Sequence, residues 1–160
     1  VTNKRILVPL DGSKEAECIL PLIKPMVSGF VPPARVILYS AIEAISSPMA
    51  EFLFMDTDYW QRKKKYENEI LPYLKGIEKR LRDDGIEVEQ AVAMALAGDN
   101  VAEGILSFVE KNVIDLIIMS THARSHKVRR PFGSVTHAVL ERSGVPVLVV
   151  PTPGFRKKKR

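Results

Sequence analysis

Short runs of unbroken apolar residues alternate with amphipathic stretches along most of the chain. KRILVPL (4–10), RVILYSA (35–41), DLIIMS (115–120) and VPVLVVP (145–151) are largely apolar, and IEVEQAVAM (86–94) opens with alternation. Runs of this length, rich in Val, Ile and Leu, read as strands buried on both faces of a sheet. The intervening stretches carry a helical period. DGSKEAE offers Ser13 as a cap, and Glu15 and Glu17 for the positive first turn of a helix that runs to about Gly29. Pro21 and Pro25 inside that helix predict a kink or an early end. VPPA (31–34) reads as a turn. Over 58–85, Tyr66, Ile70, Leu74, Ile77 and Leu81 recur at spacings of four, four, three and four, which makes one apolar face, and Pro72 predicts a bend. AGDN (97–100) supplies Asp99 or Asn100 as the cap of a helix striped by Val101, Ile105, Phe108 and Val109. SVTHAVLERSG (134–144) is a short helix ending at Gly144. Residues 42–57 show no clean period. Their Phe52, Leu53, Phe54 and Met55 form a patch that is either folded over the core or used for contact.

The element order is β-α-β-α-β-α-β-loop-α-β. Apolar strands alternating with amphipathic helices imply an α/β fold: an open, doubly wound, five-stranded parallel sheet in the order 3-2-1-4-5, with helices on both faces. In such a sheet, ligands sit outside the carboxyl ends of the strands where the winding direction switches. The exit of the first strand, Pro9 to Ser13, and the exit of the fourth, from Met119 onward, are the expected walls of that crevice. At 160 residues the chain has room for one core, so residues 1–155 are read as one domain and 156–160 as a tail.

Charge sharpens the account of the tail. Five of the 24 Lys and Arg residues lie in Arg156–Arg160, and the remaining 19 balance 19 Asp and Glu. A body without excess charge does not carry the basic face of a duplex-binding protein, so no specific nucleic acid is expected. The tail is a solvated end or a contact for an acidic partner or an anionic surface. Arg62 to Lys65 read as the solvated face of the long helix. Cys18 is the only cysteine, which excludes an internal disulfide, and it sits beside Ile19 and Leu20 without a histidine partner in sequence. No apolar run reaches the roughly 18 residues of a spanning helix, and VTNKRILVPLDGS has no secretory pattern, so a cytoplasmic location is expected.

STHARSHKVRRPFGSVTH (120–137) carries the candidate chemistry. Gly133 and Ser134 open a helix whose first amides attract anions, and Arg124, Lys127, Arg129 and Arg130 add positive charge beside it.

Three stretches together are similar to the universal stress protein family: ILVPLDGSKEAE, DLIIMSTHARS and GSVTHAVLERSGVPVLVVP, within a resemblance spanning about residues 3–152. The nucleotide-binding pattern of that family, G-x2-G-x9-G-S/T, falls with its spacing intact on Ser120, Ala123, Gly133 and Ser134. Two of its three glycines are replaced. By this resemblance Pro9 and Asp11 line the base and ribose side, Ser40 borders the adenine and Met119 closes the floor. The backbone of Ser120, His122, Ala123, Arg124, Gly133, Ser134 and Val135 faces the phosphates of ATP or AMP, with Mg²⁺ as an accompanying ion. The resemblance also implies a homodimer through 145–151, in keeping with the tendency of a bare apolar edge strand to be covered.

The glycine replacements set the two leading readings against each other. If Ser120 and Ala123 stand where the backbone takes positive φ, each costs roughly 1–2 kcal/mol. The first reading is a regulatory module that binds an adenine nucleotide. The second is a dimeric interaction module with a vestigial site. Slow ATP hydrolysis is a third, using Asp11 through Mg²⁺ and His122 as base. No second carboxylate stands beside either residue in sequence, and no Ser-His-Asp set is apparent, so the chain reads as a binding protein more than an enzyme. Asp11 can equally be a turn and cap residue. The His122–His126 spacing carries little weight outside a helix, and His137 reads as structural.

Overall fold

The computed structural model describes residues 3–42, 64, 66–94, 100–121 and 132–153. Strands β1 (Arg5–Pro9), β2 (Arg35–Ile42), β3 (Val88–Met94), β4 (Leu116–Thr121) and β5 (Val147–Pro151) form one parallel sheet in the order β3-β2-β1-β4-β5. Among the described residues the helices are α1 (Leu20–Ser28), α2 (Leu71–Asp83), α3 (Val101–Lys111) and α4 (Ser134–Arg142). The fold class and strand order agree with the sequence reading. The 52–55 patch, Asp99 and the basic tail lie outside the described residues.

Burial on both faces explains the unbroken apolar runs. Ile6, Leu7 and Val8 of the central strand are all fully buried. Successive side chains on a strand point to opposite faces. Ile6, Val8, Val36, Leu38 and Ile118 therefore pack on one side with Ile19, Ile23 and Val27, and with Leu74, Ile77 and Leu81 of α2. Leu7, Ile37, Tyr39, Ile117 and Met119 pack on the other with Ile105 and Val109 of α3 and Val139 of α4. The predicted apolar stripes of α2 and α3 are the faces that cover the sheet.

Proline shapes two helix starts. Before α1, Ala16–Ile19 winds as a 3₁₀ turn, and Pro21 falls in the first turn of α1, where a missing N–H costs least. The first helix is thus split in type near Pro21, and it ends at Gly29 as expected. Tyr66–Ile70 is a π-helical turn that becomes α2 just before Pro72. A proline ring crowds the carbonyl four residues earlier, and a wider turn at that point relieves it. Asn100 resolves the choice of cap for α3: its side chain accepts from the Glu103 amide at 3.1 Å.

Polar ties hold the ends of the elements. Asp115 accepts from Lys4 Nζ at 2.7 Å and from the Arg5 amide at 2.9 Å, joining the starts of β1 and β4. The Arg142 guanidinium engages the Glu103 carboxylate through both of its terminal nitrogens, which ties α4 to α3. Strand β5 begins late, at Val147, because Pro146 has no amide to give; its carbonyl instead accepts from Ile117 at 2.9 Å. Val147 to Val150 are only half-buried along the open edge of the sheet.

Candidate functional site

The strands part where the winding reverses. Pairing between β1 and β4 is limited to Ile6–Leu116 and Leu7–Ile117, whereas β1 stays paired with β2 as far as Pro9–Tyr39. Beyond Leu7 and Ile117 a cleft of about 390 Å³ opens at the carboxyl ends of the strands. This is within the size range of small-ligand pockets.

The first wall is the turn after β1. Asp11 Oδ1 accepts from the Ser13 amide at 2.9 Å and from Ser13 Oγ at 2.6 Å. Ser13 Oγ in turn accepts from the Ala16 amide at 3.2 Å, so the predicted cap and the turn are one hydrogen-bonded unit. Gly12 suits that turn, chiefly through its backbone. Its φ of +85° is left-handed, and a Cβ would meet Ile70 Cδ1 at 3.0 Å. Asp11 therefore serves as a turn residue and also lines the cleft.

The second wall is the end of β4 and the start of α4. The Gly133 amide donates to Thr121 Oγ1 at 3.3 Å, and Thr136 Oγ1 donates to the Ser120 carbonyl at 3.4 Å. These bonds set the N-terminus of α4 against the cleft. Gly133 is the N-cap and makes no side-chain cap bond, so the first amides of α4 have no side chain of the cap residue closing them off. The φ of Gly133 is −62°, open to any residue. Ser120 lies within β4, paired with Val150. Its backbone is ordinary strand, and the strain reckoned for a serine at a positive-φ position does not arise.

Pro9, Asp11, Met119, Ser120, Gly133, Ser134 and Val135 all line this one cleft. Ser40 does not. It is buried, while its neighbours Tyr39 and Ala41 line the cleft, because the strand alternation turns Ser40 to the opposite face of β2. His122, Ala123, Arg124, Lys127, Arg129 and Arg130 lie outside the described residues. His137 is on α4, with Nδ1 3.1 Å from Glu141 Oε2. Sequence reasoning missed Val101 and Ile105 of α3 and the Tyr39–Ala41 pair. The one legible signal was Tyr39 itself, a phenol in an otherwise aliphatic run.

The cleft has two chemically distinct ends. Ala41, Val101, Ile105 and Met119 give it an apolar slot between β2 and α3. Asp11, Ser120, Gly133, Ser134 and Thr136 give it a polar end at the α4 N-terminus. Tyr39 is fully buried, and its hydroxyl has no hydrogen-bond partner among the described residues. Burial pushes its pKa up to about 12, so the phenol is neutral and able to donate across the physiological range.

This architecture is a doubly wound parallel α/β fold with a cleft where the winding reverses, and the comparisons specify the family. The model of the universal stress protein family matches residues 2–151. The chain belongs to the universal stress protein family. It is 29% identical to universal stress protein MJ0577 of Methanocaldococcus jannaschii, over 94% of this chain and 96% of that protein. The solved structure of MJ0577 aligns with a TM-score of 0.73 over 99% of this chain and 100% of that one. An Arabidopsis thaliana family member solved with AMP bound shares 15% identity and a TM-score of 0.58, covering 93% of this chain and 92% of its own. A universal stress protein solved in complex with cAMP shares 18% identity and a TM-score of 0.61, covering 95% of this chain and 99% of its own.

Proposed function

We propose that this protein is a regulatory module that binds an adenine nucleotide, ATP or AMP, in the cleft at the ends of β1 and β4 and acts in stress response by changing the surface it presents to partners. The observation that carries this reading is the division of one cleft into an apolar slot and an amide-rich end. A nucleotide divides the same way, into a flat base and charged phosphates. Family members solved with AMP and with cAMP lend support.

In this reading the base enters the slot between Ala41, Val101, Ile105 and Met119. Pro9 and Asp11 border the ribose. Ser120, Gly133, Ser134 and Val135 offer the phosphates backbone amides and the α4 dipole. His122, Ala123 and Arg124 complete the phosphate side. Among the described residues no group of three or more His, Cys, Asp or Glu side chains converges. Where Mg²⁺ accompanies ATP, Asp11, the carboxylate that lines the cleft, would help to hold it. The protein works as a homodimer joined along β5, and the basic tail 156–160 engages an acidic partner or an anionic surface.

The test is calorimetric titration of the full chain with ATP and with AMP. Binding that is lost in Gly133→Asp while the fold persists supports the reading. Unchanged affinity in that variant contradicts it.

A further inference from the structure

An α-helix begins with four amides that have no carbonyl of their own helix to bond. The usual remedy is a Ser, Thr, Asp or Asn at the N-cap, whose side chain bonds the N2 or N3 amide and closes off the helix end. Asn100 does this for α3. At α4 the N-cap is Gly133, which has no side chain to offer, and the fastening comes from another element. Thr121 Oγ1, at the end of β4, accepts from the Gly133 amide at 3.3 Å. Thr121 is 1% exposed, so this bond is made in the protein interior. Strand alternation puts its side chain on the face of β4 that carries Ile117 and Met119, which α4 covers through Val139. Its carbonyl accepts from the Thr152 amide at 3.3 Å, so this one residue joins β4 both to α4 and to the end of β5. Thr136, also buried, returns a second bond from Oγ1 to the Ser120 carbonyl at 3.4 Å. Ser134, Val135 and Thr136 carry the remaining amides of that first turn, and all three line the cleft.

We infer that Thr121 is a positioning residue for the phosphate end of the cleft: its hydroxyl fixes the start of α4 against β4, so that the helix end is held in place with no capping side chain across the amides that meet the ligand. This rests on the reading that the cleft holds an adenine nucleotide and adds to it the residue that sets the phosphate-binding end. A capping side chain would hold the helix equally well, but it would compete with phosphate for the N2 and N3 amides. A hydroxyl bonded to the N-cap amide leaves those two open. Thr121 is not among the residues that line the cleft, so it acts through α4 and not by touching the nucleotide. Its effect therefore falls on the phosphates and spares the base, whose slot is built by Ala41, Val101, Ile105 and Met119.

The experiment compares the full chain with Thr121→Val, which keeps the branched shape and removes the hydroxyl, and with Thr121→Ser, which keeps the hydroxyl. Affinities are measured for AMP and for adenosine, which share base and ribose and differ by the phosphate. Thr121→Val should bind AMP roughly three- to tenfold more weakly, the loss that goes with about one hydrogen bond, and should bind adenosine as the wild-type chain does. Thr121→Ser should restore most of the AMP affinity. A second measurement needs no variant. In amide NMR spectra of the wild-type chain, the Gly133 amide should be protected from exchange without nucleotide, and the Ser134 and Val135 amides should shift on adding AMP and stay in place on adding adenosine. Unchanged AMP affinity in Thr121→Val overturns the inference while leaving nucleotide binding in place. An equal loss for adenosine also overturns it, by showing that the hydroxyl serves the fold alone, and so does a Thr121→Ser chain as weak as Thr121→Val. A freely exchanging Gly133 amide, or Ser134 and Val135 amides that ignore AMP, overturns it whether or not Thr121→Val folds. No binding of AMP or ATP to the wild-type chain at millimolar concentration overturns the underlying reading, and this inference with it.

Discussion

The Tyr39 hydroxyl and Gly104 occupy one small space: a Cβ on the glycine would lie 3.1 Å from the phenol oxygen. The two residues belong to β2 and α3, and each constrains what the other can be. Gly104→Ala should gain about 1 kcal/mol of helix propensity, yet it overpacks a fully buried ring that has Phe108 behind it. Net destabilisation of about 1 kcal/mol is expected in denaturant unfolding. In a Tyr39→Phe background the obstructing oxygen is gone, and the same substitution should stabilise by about 1 kcal/mol. A substitution that behaves identically in both backgrounds would show that the two residues are not coupled.

Gly133→Asp separates stability from binding. At a φ of −62°, aspartate fits the backbone and can cap α4, which lacks a side-chain cap bond. Thermal stability should hold or rise by a few tenths of a kcal/mol, while the carboxylate repels phosphate from the same amides. Nucleotide affinity is expected to fall by at least a hundredfold, as two lost decades correspond to about 2.7 kcal/mol. A variant that binds normally would mean that the phosphates do not lie at the α4 N-terminus.

Asp115 sets an acid limit on stability. The bond from Lys4, reinforced by the Arg5 amide, holds its carboxyl below the ordinary aspartate value of 3.8. A carboxyl with a lowered pKa in the folded state contributes stability that is complete above its unfolded pKa and is lost as pH falls through the folded one. The carboxylate is partly solvated, so the contribution is modest. Asp115→Asn should cost about 1 kcal/mol at pH 7, and the gap from the wild-type protein should close as pH drops below about 4. Denaturant midpoints across pH test this, and a constant gap would contradict it.

The proposed homodimer would join along the open edge of β5. Strand hydrogen bonding alternates, and the Pro146 carbonyl and Thr152 amide both face β4. The backbone groups of Val147 and Val149 therefore face away from it. Proline is tolerated on an edge strand where its missing N–H faces outward. Val149→Pro should leave the monomer folded and weaken the proposed homodimer, seen as a fall in mass by light scattering. A wild-type chain that is monomeric at every concentration would contradict dimerisation along this edge.

Much of the fold was legible because the signals were local. Ile6, Leu7 and Val8 are buried on both faces of the central strand, and only such a strand tolerates three consecutive large aliphatic residues. The two walls of the cleft were legible for the same reason: Pro9–Asp11 and Gly133–Val135 sit directly at element ends. The apolar slot was harder to read. Apart from Arg35 and Ser40, RVILYSAI is apolar on both faces of β2, so the pattern carries little phase, and the residue assigned to the base was Ser40 where alternation places Tyr39 and Ala41 at the cleft. Val101 and Ile105 contribute to it only because α3 packs over β2, a contact between elements far apart in the chain. The cost assigned to serine at position 120 rested on an assumed backbone conformation, and β4 simply continues through that residue.

Nucleotide occupancy of the cleft tests the account most directly. The full chain is purified gently and denatured, and the small molecule released is separated by chromatography; the emptied, refolded protein is then titrated with ATP and AMP. The account predicts an adenine nucleotide in near-stoichiometric amount, or saturable binding on titration, with both lost in Gly133→Asp. A protein that carries no nucleotide and ignores millimolar ATP and AMP would contradict it, and would leave the fold as a dimeric interaction module with a vestigial cleft.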